Sequence, residues 1–176
     1  MRALTLAAVL LALAACSQPT APVDAEAETT AQAEPGPNEI VGDAVVTDGD
    51  TIEIRGTAIR LDGYDTPEEG KRCGDVNVYQ RASNELDALI ADRTVHCRIT
   101  DEPDRHGRQI AQCSVGGVDF GDHMVRQGWG RDWPRYSDGM YADEEAEARA
   151  ASRGIWGMTC PADVWSGRDY SPRTAP

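Results

Sequence analysis

The sequence predicts a β-rich α+β domain in the middle of the chain. Three observations carry this. Five short segments between residues 41 and 115 alternate apolar and polar side chains with the period of a strand. One segment of helical spacing interrupts them after the third. Two more helical segments follow the last strand.

Residues 41–47 read as the first strand, and Asp48-Gly49 is a strong hairpin turn signal. Residues 51–55 alternate as the second, Gly56 turns the chain, and residues 58–61 form the third. Residues 62–77 are rich in Gly, Pro and charge and read as a loop. Residues 79–91 have helical spacing, with Ala82, Leu86, Leu89 and Ile90 on one face. Residues 94–99 and 109–115 alternate again. Residues 119–127 form a short helix that stops at Gly128, and the Ala/Glu/Arg-rich residues 139–153 form another, ended by Gly154. Residues 161–176 read as an irregular tail. Five strands with a helix after the third fit an OB barrel, which closes its edges with five strands. An antiparallel sheet with helices on one face has the same periodicity.

The first 38 residues are set apart. Arg2 is followed by an almost unbroken apolar run ending Leu13-Ala14-Ala15-Cys16. The run is shorter than the roughly 20 residues that span a bilayer, and it fits a signal-peptide core over 1–15. The ending resembles a bacterial lipobox, which implies cleavage before Cys16 and lipidation of that residue, hence a membrane-anchored envelope protein. A plain secretory signal, with Cys16 incidental, is the alternative. Residues 17–38 are Ala, Glu, Thr, Gln and Pro without aromatics, a composition that reads as a disordered tether. The folded domain is expected over 39–160.

Four cysteines remain, an even set that suits disulfides in an oxidising compartment. Cys97 and Cys113 flank a hairpin-like segment on adjacent strands and form one expected pair; Cys73 and Cys160 follow by elimination. The spacings contain no Cys-x-x-Cys, which argues against structural zinc. The net charge is −13, from 30 acidic against 17 basic residues. Such acidity counts against a sequence-independent coat on DNA, whose usual footprint is a basic face. It leaves room for an enzyme that holds one or two phosphates locally.

The chemistry gathers in three stretches: Asp48-Gly49-Asp50-Thr51, Arg60 to Glu68, and Asp104-Arg105-His106-Gly107-Arg108. Carboxylates hold a hard cation, and guanidinium forks match phosphate geometry. Pro67 restrains its own backbone and that of Thr66, which suits fixed oxygen ligands. A glutamate beside such a site can position or deprotonate a water.

In their order these stretches resemble the staphylococcal nuclease family. The resemblance also takes in Met124-Val125-Arg126-Gln127-Gly128 and Gly154-Ile155-Trp156, and runs from about Val45 to Trp156. It implies an OB barrel with three helices and calcium-dependent endonucleolytic cleavage of DNA and RNA that leaves 3′-phosphates. It also implies that Asp50, Asp65 and the Thr66 carbonyl are calcium ligands, that Arg60 and Arg108 bind phosphate, and that Glu68 is the general base. His106 stands where the family often has a nucleotide-stacking tyrosine, and Tyr136 matches another nucleotide-facing tyrosine. Stacking needs exposed bases, so single strands are the expected substrate and a monomer the expected state. A non-catalytic nucleic-acid-binding module and an envelope structural lipoprotein are the rival readings.

Overall fold

Strand β1 (Glu39–Gly42) and strand β2 (Ala44–Asp48) are one run of chain bent at Asp43, not the single strand that the alternation suggests. The bend is what closes the barrel. In the computed structural model, which describes residues 35–165 and 167–173, β2 turns into β3 (Thr51–Ile54) and then β4 (Thr57–Leu61) as an antiparallel meander. The expected signal peptide, Cys16 and most of the expected tether lie outside the described residues.

The loop expected at 62–77 holds three two-residue strands: β5 (Tyr64–Asp65), β6 (Arg72–Cys73) and β7 (Val76–Asn77). Helix α1 (Val78–Ile90) follows, capped by the Asn77 side chain accepting from the Gln80 amide. Strands β8 (Val95–Asp101) and β9 (Gln109–Val115) form a hairpin, and β10 (Val118–Asp119) folds back on β9. Helix α2 (Phe120–Arg126) is capped by Asp119. Strand β11 (Arg131–Asp132) pairs with β5, one-turn helix α3 (Pro134–Ser137) follows, and α4 (Ala142–Ala150) completes the set. Helix α4 is shorter than residues 139–153, because Asp138 and Gly139 take positive φ and turn the chain first.

The strand order in the main sheet is β1-β8-β9-β4-β3-β2. Its two ends, β1 and β2, are contiguous in sequence, so the sheet returns on itself and leaves no long free edge. Strands β4 and β9 run parallel, and every other pairing in that sheet is antiparallel. This is the α+β OB barrel that the sequence predicts. Ile52, Ile54, Ile59, Leu61, Val95 and Val115 point into a core that α1 covers with Ala82, Leu86 and Ile90, and α2 with Phe120, Met124 and Val125. Burying such side chains contributes roughly 1.5–3 kcal/mol each.

Both expected disulfides are present. Cys97 and Cys113 face each other directly across β8 and β9. Cys73 and Cys160 join the end of β6 to the C-terminal segment. Among the described residues no helix is long and apolar enough to cross a membrane.

Candidate active site

The turn between β2 and β3 carries Asp50, the end of β4 carries Arg60, and β5 carries Asp65; the barrel folds all three into one corner. Gly49 is required there by close approach. A Cβ at that position would lie 2.8 Å from the Ala82 methyl and 2.9 Å from Thr66 Oγ1. The turn glycine thus lets the Asp50 turn pack against α1 and the Thr66-Pro67 loop at once.

Arg60 Nη2 lies 3.1 Å from Asp50 Oδ2 and 3.3 Å from Asp65 Oδ1. Its Nη1 donates to the carbonyls of Asp50 and Leu61, at 3.2 and 2.8 Å, and Nη2 to that of Tyr64 at 3.0 Å. Asp50, Arg60 and Asp65 are 6, 7 and 2 % exposed. Buried charges persist only when paired and hydrogen-bonded, and this guanidinium meets both conditions. Burial works against its charge, but Asp50 and then Asp65 outweigh it and hold the Arg60 pKa above its ordinary value. Two carboxylates around one cation still leave an excess of negative charge. Burial, and next the Asp50 charge, push Asp65 above the usual carboxylate range. The same two causes push Asp48 up to about 6. Thr66 serves the cluster through its amide and hydroxyl, which donate to Asp50 Oδ2 at 3.0 and 3.2 Å.

Arg108 approaches from the start of β9. Its Nη2 and Nε sit 2.7 and 2.9 Å from Asp104 Oδ2, while the His106 and Arg108 amides donate to Asp104 Oδ1. Burial pushes Asp104 up, but these bonds prevail and hold its carboxyl below the usual range. Arg108 Nη1 then reaches Thr51 Oγ1 at 3.3 Å, and Thr51 donates to Asp50 Oδ1 at 3.3 Å. The two arginines are therefore joined through Thr51 and Asp50.

One open cleft of about 930 Å³ is lined by Arg60, Glu68, His106, Arg108, Trp133 and Tyr136, among others. Five residues singled out in the sequence thus share a cavity: Arg60, Glu68, Arg108, His106 and Tyr136. Asp50, Asp65 and Thr66 are buried beside Arg60. Sequence reasoning missed Trp133, Arg135, Arg168 and Tyr170. Trp133 packs edge-on against Tyr136, with ring centroids 4.6 Å apart, and the Arg60 guanidinium lies 5.8 Å from its ring. Arg168 Nε lies 3.1 Å from Asp65 Oδ1, Arg168 Nη2 pairs with Glu68 Oε1, and the Tyr170 hydroxyl donates to Asp65 Oδ2 at 2.6 Å. No local sequence pattern marks Arg168 or Tyr170.

A family model described as staphylococcal nuclease homologue matches residues 58–158, more than half of the chain. The chain belongs to the staphylococcal nuclease family. It is 33 % identical over 124 residues to the succinoglycan biosynthesis protein ExoI of Rhizobium meliloti (strain 1021), a match that takes in 66 % of this chain and 64 % of ExoI. It is 29 % identical over 118 residues to an uncharacterized 38.1 kDa protein of Capnoides sempervirens, covering 66 % of this chain and 33 % of that one. The chain therefore spans just under two thirds of the first relative and one third of the second. In this nuclease-family chain Asp50 lies ahead of the matched segment, so its place beside Arg60 is read from the barrel alone.

The family implies calcium. The donors beside Arg60 are all hard oxygens, the type that calcium takes, and two carboxylates share one guanidinium. The chemistry of the set fits. As arranged, these oxygens are satisfied by the protein's own groups, and among the described residues no cluster of three or more His, Cys, Asp or Glu side chains is placed to hold a metal.

Proposed function

We propose that this chain is a calcium-dependent endonuclease that hydrolyses phosphodiester bonds of single-stranded DNA and RNA and leaves 3′-phosphates. One observation carries the reading: Arg60, Glu68 and Arg108 line a single cleft beside the buried pair Asp50 and Asp65. In it Asp50, Asp65 and the Thr66 carbonyl would hold calcium. When bound, calcium supplies the positive charge that offsets the carboxylates and polarises a phosphate. Arg60 and Arg108 grip the non-bridging oxygens from two sides and stabilise the charge that develops on them. Glu68, exposed at the rim, takes the proton of the attacking water on a carboxylate oxygen; the water oxygen bonds to phosphorus, the P–O5′ bond breaks, and the departing 5′-oxygen takes a proton from solvent. His106, Trp133 and Tyr136 offer exposed bases a stacking surface, worth about 1–3 kcal/mol per base without demanding a sequence.

Export and lipidation of Cys16 belong to the same proposal, as does a monomeric state: a tethered enzyme of the cell envelope that meets nucleic acid outside the cytoplasm. The test is incubation of the purified protein with heat-denatured DNA or RNA, in calcium and then in chelator. The reading expects cleavage with calcium, loss of cleavage with chelator, and products that take up label at the 3′ end only after phosphatase treatment. Retention of DNA without cutting points to a binding module; neither retention nor cutting points to a structural role in the envelope.

A further inference from the structure

The C-terminal segment lies across the groups that hydrolysis would use. After Cys160 the chain is tied down by the disulfide to Cys73, by Val164 packed with Cys73, Val78 and Ile155, and by Trp165 stacked on Trp156. Beyond that anchor Gly167, Arg168 and Asp169 line the cleft. Arg168 reaches Asp65 and Glu68, and Tyr170 takes the other oxygen of Asp65. The Asp169 carbonyl accepts from Trp133 Nε1 at 2.7 Å, and its carboxylate meets Arg135 at 3.1 Å.

Arg168 does here what a bound cation would do. It sets a positive charge between Asp65 and Glu68, and both carboxylates favour its charged form against the cost of burial. A divalent ion entering this corner meets a like charge within a few ångströms and finds both Asp65 oxygens engaged. Elsewhere the segment is held by the Trp133 hydrogen bond, by the Arg131 guanidinium 3.8 Å from the Tyr170 ring, and by surface contacts of Asp169 and Arg173. The Arg135–Asp169 pair is about half exposed on each side, and exposed pairs contribute little. We infer that residues 167–173 form an autoinhibitory strap, in which Arg168 and Tyr170 compete with the divalent cation for Asp65, Arg168 also ties up the base Glu68, and both are displaced when the cation binds. The inference rests on the calcium-dependent reading above.

The test is calcium titration of the full chain by isothermal calorimetry, with wild type, Arg168→Ala and Tyr170→Phe, each first shown to melt cooperatively. Removing a unit charge beside a divalent site lowers the calcium Kd on the order of tenfold or more. Tyr170→Phe, which removes one hydroxyl from one oxygen, lowers it a few-fold and stands in if the arginine variant does not fold. Calcium also speeds trypsin cleavage after Arg168 in the wild type. An unchanged Kd in both variants, with calcium still required for DNA cleavage, overturns the strap and leaves the nuclease reading standing. Weaker calcium binding in Arg168→Ala overturns it too, because Arg168 would then organise the site or hold substrate. Absence of calcium binding in every protein overturns the strap and the calcium requirement together.

Discussion

At the residue scale, the corner around Asp50 is a place where excess negative charge is kept under low solvation. Asp48 is the clearest reporter. Its carboxyl is pushed up to about 6 by burial and by Asp50, from an ordinary 3.8. A raised acid pKa means the folded state binds the proton more tightly, so stability falls as pH rises from about 4 through 6. Asp48→Asn keeps the oxygen that accepts from the Asp50 amide at 3.1 Å and removes the charge. It is expected to raise the melting temperature at pH 8 in calcium-free buffer and to have little effect at pH 4; equal shifts at both pH values would refute this account of Asp48. The residues that the barrel gathers at the cleft could be picked out in the sequence because their motifs are local and their order along the chain is distinctive. Arg168 and Tyr170 could not, since no local pattern marks them. Their meaning comes from contacts made with Asp65 across 103 and 105 residues of chain.

At the element scale, two glycines from the sequence motifs have a physical reason. A Cβ on Gly128, where φ is +73°, would fall 2.3 Å from the Arg153 carbonyl oxygen; one on Gly154, at φ +51°, would fall 2.4 Å from that of Gly128. The end of α2 and the segment after α4 touch backbone to backbone there, closed by the Ile155 amide donating to the Gly128 carbonyl at 2.9 Å. Gly128→Ala should therefore cost roughly 1–3 kcal/mol, read as a lower midpoint in urea unfolding. The disulfides rank by the loop each closes. Cys73–Cys160 spans 87 residues and Cys97–Cys113 spans 16. In the chain-entropy model these contribute about 4.5 and about 3 kcal/mol, so the paired Cys73→Ser and Cys160→Ser variant should melt lower than the paired Cys97→Ser and Cys113→Ser variant. Alternation placed the barrel strands and the three longer helices to within a few residues. It could not show the bend at Asp43, because β1 and β2 keep one pattern while serving two neighbours. Nor could it show β5 and β11, whose pairing depends on segments some 66 residues apart.

At the scale of the whole molecule, a chain of net charge −13 carries a cleft lined by five arginines and six carboxylates. Under the proposed function the acidic surface repels nucleic acid at long range, and a few arginines hold it at short range. With two or three phosphates neutralised, KM on single-stranded DNA should rise about tenfold between 50 and 200 mM salt; a KM flat across that range would show that binding does not depend on the cleft arginines.

The central claim is that two arginines and a glutamate, brought together by separate segments of the barrel, work on one phosphate. Its most direct measurement is kcat on single-stranded DNA at saturating calcium for wild type, Arg108→Ala and Glu68→Gln, with folding of each variant verified by thermal melting. The account predicts a fall of about 100- to 1,000-fold in each variant, with melting temperatures close to wild type. Variants that fold and cut at the wild-type rate would contradict it.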